Sequence, residues 1–352
     1  MSGLNRRDIA RLGATLAAGF ALSPLAAEVA GPLGDPLALV DPELRAAAAE
    51  MLATSAQFQL PSEKTLPQMR AGMARYEKPL LVDVPVAERR IPGPQGAPDV
   101  RLYVINARRG GVRPAVLHTH GGGFIMGTAK IGVRDLQELS TALDCTVVTV
   151  DYRLAPESRY ADSIEDNYAG LKWLHANAGE LGVDRRRIAV MGESAGGGHA
   201  ALLAITARDR GEVPLLFQAL VYPMLDDRTG TTRAVPTQIG KLGWNAEANR
   251  FGWRSFLGQA LGGANVPARA VPARTADLAG LPPAWIGVGA LDLFVSEDME
   301  YARRLIDAAV PTELVVVPGA FHGFDMIASG AGVAKRFTEA KLNALRRAFA
   351  VS

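Results

Sequence analysis

The sequence predicts an α/β protein built on an open, mostly parallel, doubly wound sheet. Beyond Val86, short runs rich in β-branched residues alternate with helical stretches, and this alternation is typical of parallel strands joined by crossover helices. Several of these runs lack polar alternation, which suits strands buried on both faces of a sheet. The chain has 352 residues, of which 48% are hydrophobic, enough to bury a sizeable core.

The predicted elements follow one another regularly along the chain. The strand-like runs are VRLYVIN, PAVLHTH, CTVVTVDYR, RIAVMG, FQALVYPML, AWIGVGA and ELVVVPG. The helical candidates are IEDNYAGLKWLHANAGEL, the run after Gly197, SEDMEYARRLIDAA and AKRFTEAKLNALRRAFA. The alternation is interrupted from Asp226 to about Ala264, and an insertion of this length is more typical of a functional lid than of an idle loop.

Two segments precede the alternating region. Residues 1–30 carry paired Arg6 and Arg7 before a weakly apolar, Ala/Gly-rich stretch, which resembles a twin-arginine signal and predicts a periplasmic or exported protein. An amphipathic helix of a cytoplasmic enzyme is the alternative, because no clean cleavage site follows. Residues 31–85 have a helical pattern with an Asp-Pro helix start at Asp41, and we predict that they form an N-terminal cap segment.

Charge and cysteine content exclude several classes of function. The 38 basic and 36 acidic residues give a net charge of +2 without long like-charge blocks, so we expect no nucleic-acid partner. The single cysteine, Cys145, lies in an apolar run and predicts a buried strand residue rather than a disulfide or a metal ligand. His118 and His120 are followed by glycines instead of further ligands, so we expect no metal. No segment has the length of a stable membrane span.

The sharpest local signal is the motif Gly192–Gly196, a G-x-S-x-G pattern between a strand-like run and an alanine-rich helix. Small residues on either side of Ser194 let the helix begin close to the strand. The hydroxyl is then displayed at the helix N-terminus, where backbone N–H groups favour developing negative charge. Two phosphate-binding interpretations fail, because Gly198 and His199 replace the P-loop Lys and Ser/Thr, and Asp292 replaces the third glycine of a dinucleotide fingerprint.

A nucleophilic serine needs a base and an acid that orients the base, and in this kind of sheet both follow in the order Ser, acid, His. His322 is the only histidine after position 199 and lies on a loop past a β-rich run. Asp292 directly follows AWIGVGA, at the carboxyl edge of the sheet where α/β sites form. Glu297 and Asp298 have the position of first-turn helix residues, and Glu297 stays open as an alternative acid.

Five separated motifs resemble, in order and approximate spacing, the hormone-sensitive-lipase-like branch of the α/β-hydrolases. They are His120–Gly123, Asp151–Glu157, Gly192–Gly197, Asp292 and His322–Phe324. The resemblance covers about residues 80 to 350. It implies an α/β-hydrolase fold and a Ser-Asp-His carboxylesterase without a cofactor, acting on short to medium acyl esters of small molecules. It also implies a catalytic domain at 86–352, with a helical cap formed by the N-terminal segment and the 226–264 insertion.

In this architecture the glycine motif would form an oxyanion hole. One donor is expected from the N–H of Ala195 and the others from Gly121 and Gly122. Losing one such donor typically costs about 2.7 to 4 kcal/mol, against about 1 kcal/mol for the entropic cost of a glycine, which favours a functional role for the run. Which of the glycines donates stays open. We expect His120 to brace this loop.

Some details depart from the family pattern or stay open. Many members carry Asp where this chain has Glu193, so any hydrogen bond that the side chain makes must be re-aimed. We expect Arg153 and Glu157 to brace the site rather than to perform chemistry. Two alternatives to the esterase remain, namely an amidase or deacetylase with the same triad, and a catalytically silent ligand receptor, as some relatives of the family are.

Overall fold

Eight strands form one sheet in the part of the chain that the computed structural model describes, namely residue 35 and residues 37–54, 59–94 and 96–350. Their bounds are Val86–Ile91 (β1), Val100–Ile105 (β2), Arg113–Thr119 (β3), Thr146–Asp151 (β4), Val183–Glu193 (β5), Phe217–Val221 (β6), Ala284–Gly289 (β7) and Thr312–Val317 (β8). The order across the sheet is β1-β2-β4-β3-β5-β6-β7-β8.

The strands from β4 to β8 are paired in parallel, whereas β1 and β2 form an antiparallel edge. This confirms the predicted mostly parallel sheet. Strands β6 and β7 are buried along their whole length, as their unalternating apolar sequences require. In the register of the sheet, Thr119 at the end of β3 lies beside Val150 of β4 and Gly192 of β5, so three carboxyl ends meet at one edge.

Helices cover both faces of the sheet and connect its strands. Their bounds are Arg45–Thr54 (α1), Leu66–Gly72 (α2), Val133–Ala142 (α3), Tyr160–Ala176 (α4), Ala178–Leu181 (α5), Ala195–Arg210 (α6), Ala246–Leu257 (α7), Val295–Asp307 (α8), Phe324–Ile327 (α9) and Gly332–Ala350 (α10). The single helix predicted over residues 164–181 is wrong, because the chain forms α4 and α5 with a break at Asn177. The Asn177 amide donates to the carbonyl of Trp173 at 2.8 Å and so competes with continuation of the helix.

Small residues let α6 lie close to the loop that follows β6. A Cβ on Gly197 would lie 2.8 Å from Pro223 Cβ, and one on Gly198 would lie 2.3 Å from the carbonyl oxygen of Met224. Ala200, Ala201 and the rest of the first three turns are buried as well. The helix therefore begins deep in the protein, directly behind Ser194.

The connection from β6 to β7 spans residues 222–283 and contains α7, so the irregular region extends beyond the predicted end at 264. Asn245 caps α7 by accepting from Glu247 N and Ala248 N. Trp253 and Phe256 of α7 share an apolar cluster with Leu66 of α2 and with Phe124 and Ile125, which follow the glycine motif. The N-terminal segment and the insertion thus pack together beside the glycine loop.

Residues 1–30, which carry the predicted export signal, lie outside the described residues. In the described ranges, no helix is both long and apolar enough to cross a membrane. Cys145 is fully buried beside β4, and burial raises the pKa of its thiol to about 12, so the thiol stays protonated at neutral pH.

Candidate active site

Ser194 lies at the sharp turn between β5 and α6. Its backbone has φ 58° and ψ −122°, a conformation that costs a residue with a side chain about 1 to 3 kcal/mol. The turn is held from both sides, because the Ser194 N–H donates to Val221 O at 2.9 Å and the Ser194 carbonyl accepts from Met224 N at 2.9 Å. This is the strand-turn-helix geometry that the motif Gly192–Gly196 predicts.

The two motif glycines allow the strand, the helix and the neighbouring strand to approach closely. A Cβ on Gly192 would lie 2.3 Å from Gly196 O, and a Cβ on Gly196 would lie 2.1 Å from Thr119 O. Real Cβ atoms essentially never approach backbone so closely, so an alanine would fit at either position only after a backbone shift. Close packing, rather than flexibility, explains these glycines.

The structure brings Ser194, His322 and Asp292 together. His322 Nε2 lies 3.0 Å from Ser194 Oγ, and His322 Nδ1 lies 2.8 Å from Asp292 Oδ2. The second carboxylate oxygen of Asp292 accepts from Phe294 N at 2.9 Å. Because a carboxylate only accepts, His322 carries its proton on Nδ1 and turns the Nε2 lone pair toward the serine hydroxyl. Asp292 is fully buried, and Ser194 is 8% exposed.

Aromatic rings enclose the imidazole of His322. The rings of Tyr222 and Phe294 meet it edge-on, with centroids 4.8 and 5.2 Å away. The Tyr222 hydroxyl donates to Asp325 Oδ1 at 2.8 Å, and burial raises the pKa of Tyr222, so this donor stays protonated. The imidazole therefore has little room to turn away from Ser194.

Glu297, the alternative acid, is engaged elsewhere. Its carboxyl accepts from Leu225 N at 2.7 Å, from Asp226 N at 3.1 Å and from the hydroxyl of Thr229. Burial, and to a smaller extent the nearby charge of Asp226, raises the pKa of Glu297 well above its ordinary value. Burial also raises the pKa of Asp298, so neither residue is the dipole-stabilised charge that the sequence predicts. Glu297 holds the segment after β6 instead of orienting His322.

The first three carbonyls of the glycine loop, His120–Gly123, are each held by a hydrogen-bond donor on one side. Tyr152 Oη donates to His120 O at 2.7 Å, and His120 Nδ1 donates to Gly121 O at 2.9 Å. Ile125 N and its neighbour Met126 N donate to Gly122 O at 3.1 and 3.0 Å. Since C=O and N–H point in opposite directions across a trans peptide, the N–H groups of the three glycines point away from these hydrogen-bond donors.

Two of these N–H groups, those of Gly121 and Gly122, donate to no acceptor among the described residues. The N–H of Ala195, at the start of α6, has no acceptor there either. Gly121 also lies against the turn of the serine, since a Cβ there would lie 2.9 Å from Glu193 O and 3.5 Å from Ser194 Cβ. The site thus presents fixed backbone donors beside a hydroxyl, an arrangement suited to stabilising an oxyanion.

The three glycines of the loop are needed for different reasons. Gly121 gives room beside Ser194, as described above. Gly122 has φ 124°, and a Cβ there would lie 2.0 Å from Met126 O, so only glycine fits this turn. Gly123 has φ 61°, and a Cβ there would lie 2.4 Å from a ring carbon of Trp244 in the insertion. Gly243, which precedes Trp244, packs equally closely on His322, because a Cβ added to it would lie 2.4 Å from His322 O.

The two histidines before the glycines have separate partners. His118 Nε2 lies 2.8 Å from Glu193 Oε2, and His118 Nδ1 lies 2.8 Å from Thr149 Oγ1. Burial opposes charge on Glu193, but the adjacent His118 lowers the pKa of this carboxyl below its ordinary value. Burial lowers the pKa of His120 to about 4, so its stacked ring, 4.2 Å from that of Tyr152, is neutral. In the described residues no group of three ligating side chains could hold a metal.

The expected braces are only partly as the sequence predicts. Arg153 pairs with Asp166 at 2.8 Å and with Asp162 at 3.3 Å, so it fixes α4 and does not reach the site. Glu157 pairs at 2.8 Å with Arg70 of α2, a residue for which the sequence predicts no role. No local signal could have identified Arg70, because its partners lie 55 to 87 residues further along the chain.

The chain is similar in sequence and structure to known hydrolases. The chain matches a family model for the alpha/beta hydrolase fold over residues 116–326. It is 35% identical to Esterase LipI of Mycobacterium tuberculosis over 76% of this chain and 84% of that protein. It is also 36% identical to Carboxylesterase NlhH of the same organism, over 79% of this chain and 88% of the relative.

Two further relatives extend the comparison. An ethyl acetate hydrolase of Pseudomonas putida is 32% identical over 60% of this chain and 65% of its own length. Among solved structures, a bacterial heroin esterase superposes with a TM-score of 0.79 at 37% identity, over 90% of this chain and 99% of that one. The protein is therefore a hydrolase that belongs to the α/β-hydrolase family, in its hormone-sensitive-lipase-like carboxylesterase branch.

Proposed function

We propose that the protein hydrolyses short to medium acyl esters of small molecules through a covalent acyl-enzyme. Ser194 is the nucleophile, His322 the general base and acid, and Asp292 the group that orients the imidazole. The observation that carries this proposal is the continuous hydrogen-bonded chain from Ser194 Oγ to His322 Nε2 at 3.0 Å and from His322 Nδ1 to Asp292 Oδ2 at 2.8 Å. Both distances lie within the reach required for proton transfer and orientation.

In the first half-reaction, Ser194 Oγ bonds to the ester carbonyl carbon while its proton passes to His322 Nε2. Asp292 stabilises the resulting imidazolium without taking a proton. Collapse of the tetrahedral intermediate breaks the bond to the alkoxy oxygen, which receives the proton from Nε2 and leaves as the alcohol. A water molecule then attacks the acyl-enzyme by the same proton path, which releases the acid and restores the serine.

The developing oxyanion would be stabilised by the backbone N–H groups of Gly121, Gly122 and Ala195. Their lack of another acceptor among the described residues supports this role. Donors fixed before the reaction need no reorganisation as the charge forms, and each contributes about 2.7 to 4 kcal/mol to the transition state. The proposal therefore assigns most of the electrostatic stabilisation to backbone that side chains hold in place.

A confined acyl site is supported by the insertion. Gly243 packs on His322 and Trp244 packs on Gly123, so one short segment reaches the two loops that flank Ser194. The ethyl acetate hydrolase among the relatives supports the same preference, because acetate is a two-carbon acyl group. We accordingly propose that the N-terminal segment and the insertion form a cap that limits acyl length.

The test is a panel of p-nitrophenyl esters of increasing acyl length, with a p-nitroanilide as the amide control. We expect turnover to be fastest for short chains and slow or absent for the anilide. In Ser194→Ala the burst of nitrophenol should disappear while the circular dichroism spectrum stays that of the wild type. A burst that survives this substitution would refute the nucleophile assignment. Preferred turnover of the anilide would indicate an amidase, and no turnover of any substrate a ligand receptor.

A further inference from the structure

Arg70 of α2 contacts two chain segments that flank the glycine loop. Its Nε donates to Ile125 O at 2.7 Å, and its Nη2 donates to Ala155 O at 2.7 Å. Its two terminal nitrogens also form a fork with the carboxylate of Glu157, at 2.8 and 2.9 Å. One planar guanidinium therefore joins α2 to two segments that are far from it in the sequence.

The two carbonyl contacts lie on a path to the backbone donors of the site. Ile125 N is one of the two donors that hold Gly122 O, so the residue whose carbonyl Arg70 binds also closes the turn of the glycine loop. On the other side, Ala155 N donates to Phe124 O at 3.0 Å. Arg70 thus binds Ile125 O in one segment and Ala155 O in the other, next to the hydrogen bond that joins them, and holds the two segments together.

The clamped segment that contains Ala155 also contains Tyr152, whose hydroxyl holds His120 O. Each peptide of the glycine loop is planar, so a displacement of its carbonyl holder redirects the N–H that follows. A shift between the two segments would therefore misdirect the N–H of Gly121, which follows His120 O, and the N–H of Gly123, which follows Gly122 O. Small misplacements of this kind reduce rates strongly, by up to about a hundredfold for 1 Å.

We propose that Arg70 is a positioning residue for the proposed ester hydrolysis: it holds the glycine loop against the segment that contains Tyr152 and so directs the N–H of Gly121, one of the proposed oxyanion donors. The N-terminal segment is then part of the catalytic apparatus and not only a cover. The inference rests on the proposed function, because it assigns the oxyanion role to the N–H of Gly121.

The carbonyl bonds, and not the ion pair, carry this role. The side chain of Glu157 is 64% exposed and that of Arg70 27% exposed, and an ion pair so open to water contributes little. The bonds to the two carbonyls lie on the inner side, where Ile125 is fully buried and Ala155 is 2% exposed. A lysine has one donor nitrogen and cannot span both carbonyls and the carboxylate as the fork does.

The position of α2 is fixed independently of Arg70. Leu66 is buried in the apolar cluster that contains Ile125 and Ala155, and Met69 and Met73 pack against the same cluster. Removal of the guanidinium should therefore leave the helix docked and the protein folded. This separates loss of positioning from loss of the cap.

The experiment compares Arg70→Ala, Arg70→Lys and Glu157→Gln with the wild type. With p-nitrophenyl acetate we expect kcat of both Arg70 variants to fall roughly tenfold to a hundredfold, with little change in KM. Glu157→Gln should lose less than about threefold, because the carbonyl bonds remain. Guanidinium chloride at concentrations well below denaturation should restore part of the rate of Arg70→Ala. Equal concentrations of sodium chloride or urea should not.

A second measurement does not depend on turnover. The rate at which a p-nitrophenyl alkylphosphonate modifies Ser194, with release of nitrophenol, is followed by mass spectrometry, because this step also builds charge on an oxygen in the oxyanion hole. It should fall in parallel with kcat. Arg75→Ala, which removes an exposed arginine five residues further along, is the matched control and should leave both rates unchanged.

Three results would overturn the proposal: wild-type kcat in folded Arg70→Ala, an equal loss in Glu157→Gln, or no rescue by guanidinium. If Arg70→Ala does not fold, the kcat of Arg70→Lys decides: a wild-type value, or a loss no larger than that of Glu157→Gln, would overturn the proposal. Failure of the proposed function is distinguishable, because in that case the wild-type protein itself hydrolyses no ester and Ser194 resists the phosphonate.

Discussion

The turn that carries Ser194 and the glycine loop face each other across the site, yet they are held in different ways. The serine turn is fixed by backbone hydrogen bonds and by glycines that neighbouring backbone touches. The glycine loop is held at Gly122 by backbone N–H groups, but its first two carbonyls are held by side chains, namely those of His120 itself and Tyr152. The first region is specified by a short stretch of sequence, whereas the second depends on residues that meet only in the folded protein.

The largest effect should come from filling the space that the serine turn leaves empty. In Gly196→Ala the new Cβ would lie 2.1 Å from Thr119 O, so β3 and α6 must separate. We expect a loss of at least about 3 kcal/mol in the free energy of unfolding, the upper range for overpacking, measured by urea denaturation. Gly179→Ala is the control, because nothing lies within 4 Å of a Cβ there. Equal stability of the two variants would show that the turn is not limited by packing.

The second effect concerns His199, which lies where the two regions meet. Its ring contacts those of Phe124 and Tyr152 at 5.1 and 4.4 Å, and burial lowers its pKa to about 3. The unfolded chain binds this proton near pH 6.5, so the native state loses stability as the pH falls from about 6.5 toward 3. By pH 4 the wild type should lose about 3 kcal/mol relative to His199→Leu.

The difference between the two proteins is the quantity to measure, by urea denaturation at pH 7 and pH 4. Other buried groups act in the opposite sense, because Glu297 and Asp298 have raised pKa values and gain stability as they are protonated. These carboxyls are present in both proteins, so their contribution cancels. Parallel pH profiles for the wild type and His199→Leu would contradict the assignment of a neutral buried imidazole.

The third effect tests the glycine loop directly. Tyr152→Phe removes the donor to His120 O and leaves a buried carbonyl without a partner, at a cost of about 1 to 3 kcal/mol. We expect kcat/KM for p-nitrophenyl acetate to fall about tenfold, because the Gly121 N–H loses its aim. Tyr301→Phe is the matched control, since the buried Tyr301 hydroxyl has no partner among the described residues. A Tyr152→Phe enzyme as active as this control would contradict the positioning role.

The smallest effect is expected at Glu193, which directly precedes Ser194. Its side chain bonds to His118 at 2.8 Å, but the serine turn is held by backbone. Glu193→Gln retains an acceptor for His118 and loses only the charge, so we expect a cost of about 1 kcal/mol and a change in kcat/KM below about threefold. A loss of tenfold or more would mean that the serine turn depends on side chains, as the glycine loop does.

The sequence predicts the serine side of the site well and the support of the glycine loop poorly. Ser194 is recognisable because a strand, a strained turn and a helix must follow one another within a few residues. Asp292 and His322 are recognisable because the topology of the sheet fixes the order in which nucleophile, acid and base occur. Each of these constraints acts along the chain, so it leaves a readable pattern.

Constraints that act across the fold leave no such pattern. Arg70 and Tyr152 approach the glycine loop from segments distant in sequence, and nothing near either residue indicates its carbonyl partner. Arg153 was expected at the site, yet it pairs with Asp166, because a charged residue can bind whichever carboxylate the fold brings near. The break at Asn177 has the opposite reason: the pattern there is helical, but the Asn177 side chain competes with its own backbone N–H for the carbonyl of Trp173.

Gly123 has a consequence for how the substrate site can change. Gly123 has φ 61°, and a Cβ added there would lie 2.4 Å from a ring carbon of Trp244. The glycine loop and the insertion therefore pack tightly against each other at this point. A new insertion can be accepted only if it presents a flat ring at this point or leaves the space open. Positions 123 and 244 should therefore be exchanged together when an insertion is transplanted to alter acyl selectivity. A substitution at one of these positions should likewise restrict which residues are accepted at the other.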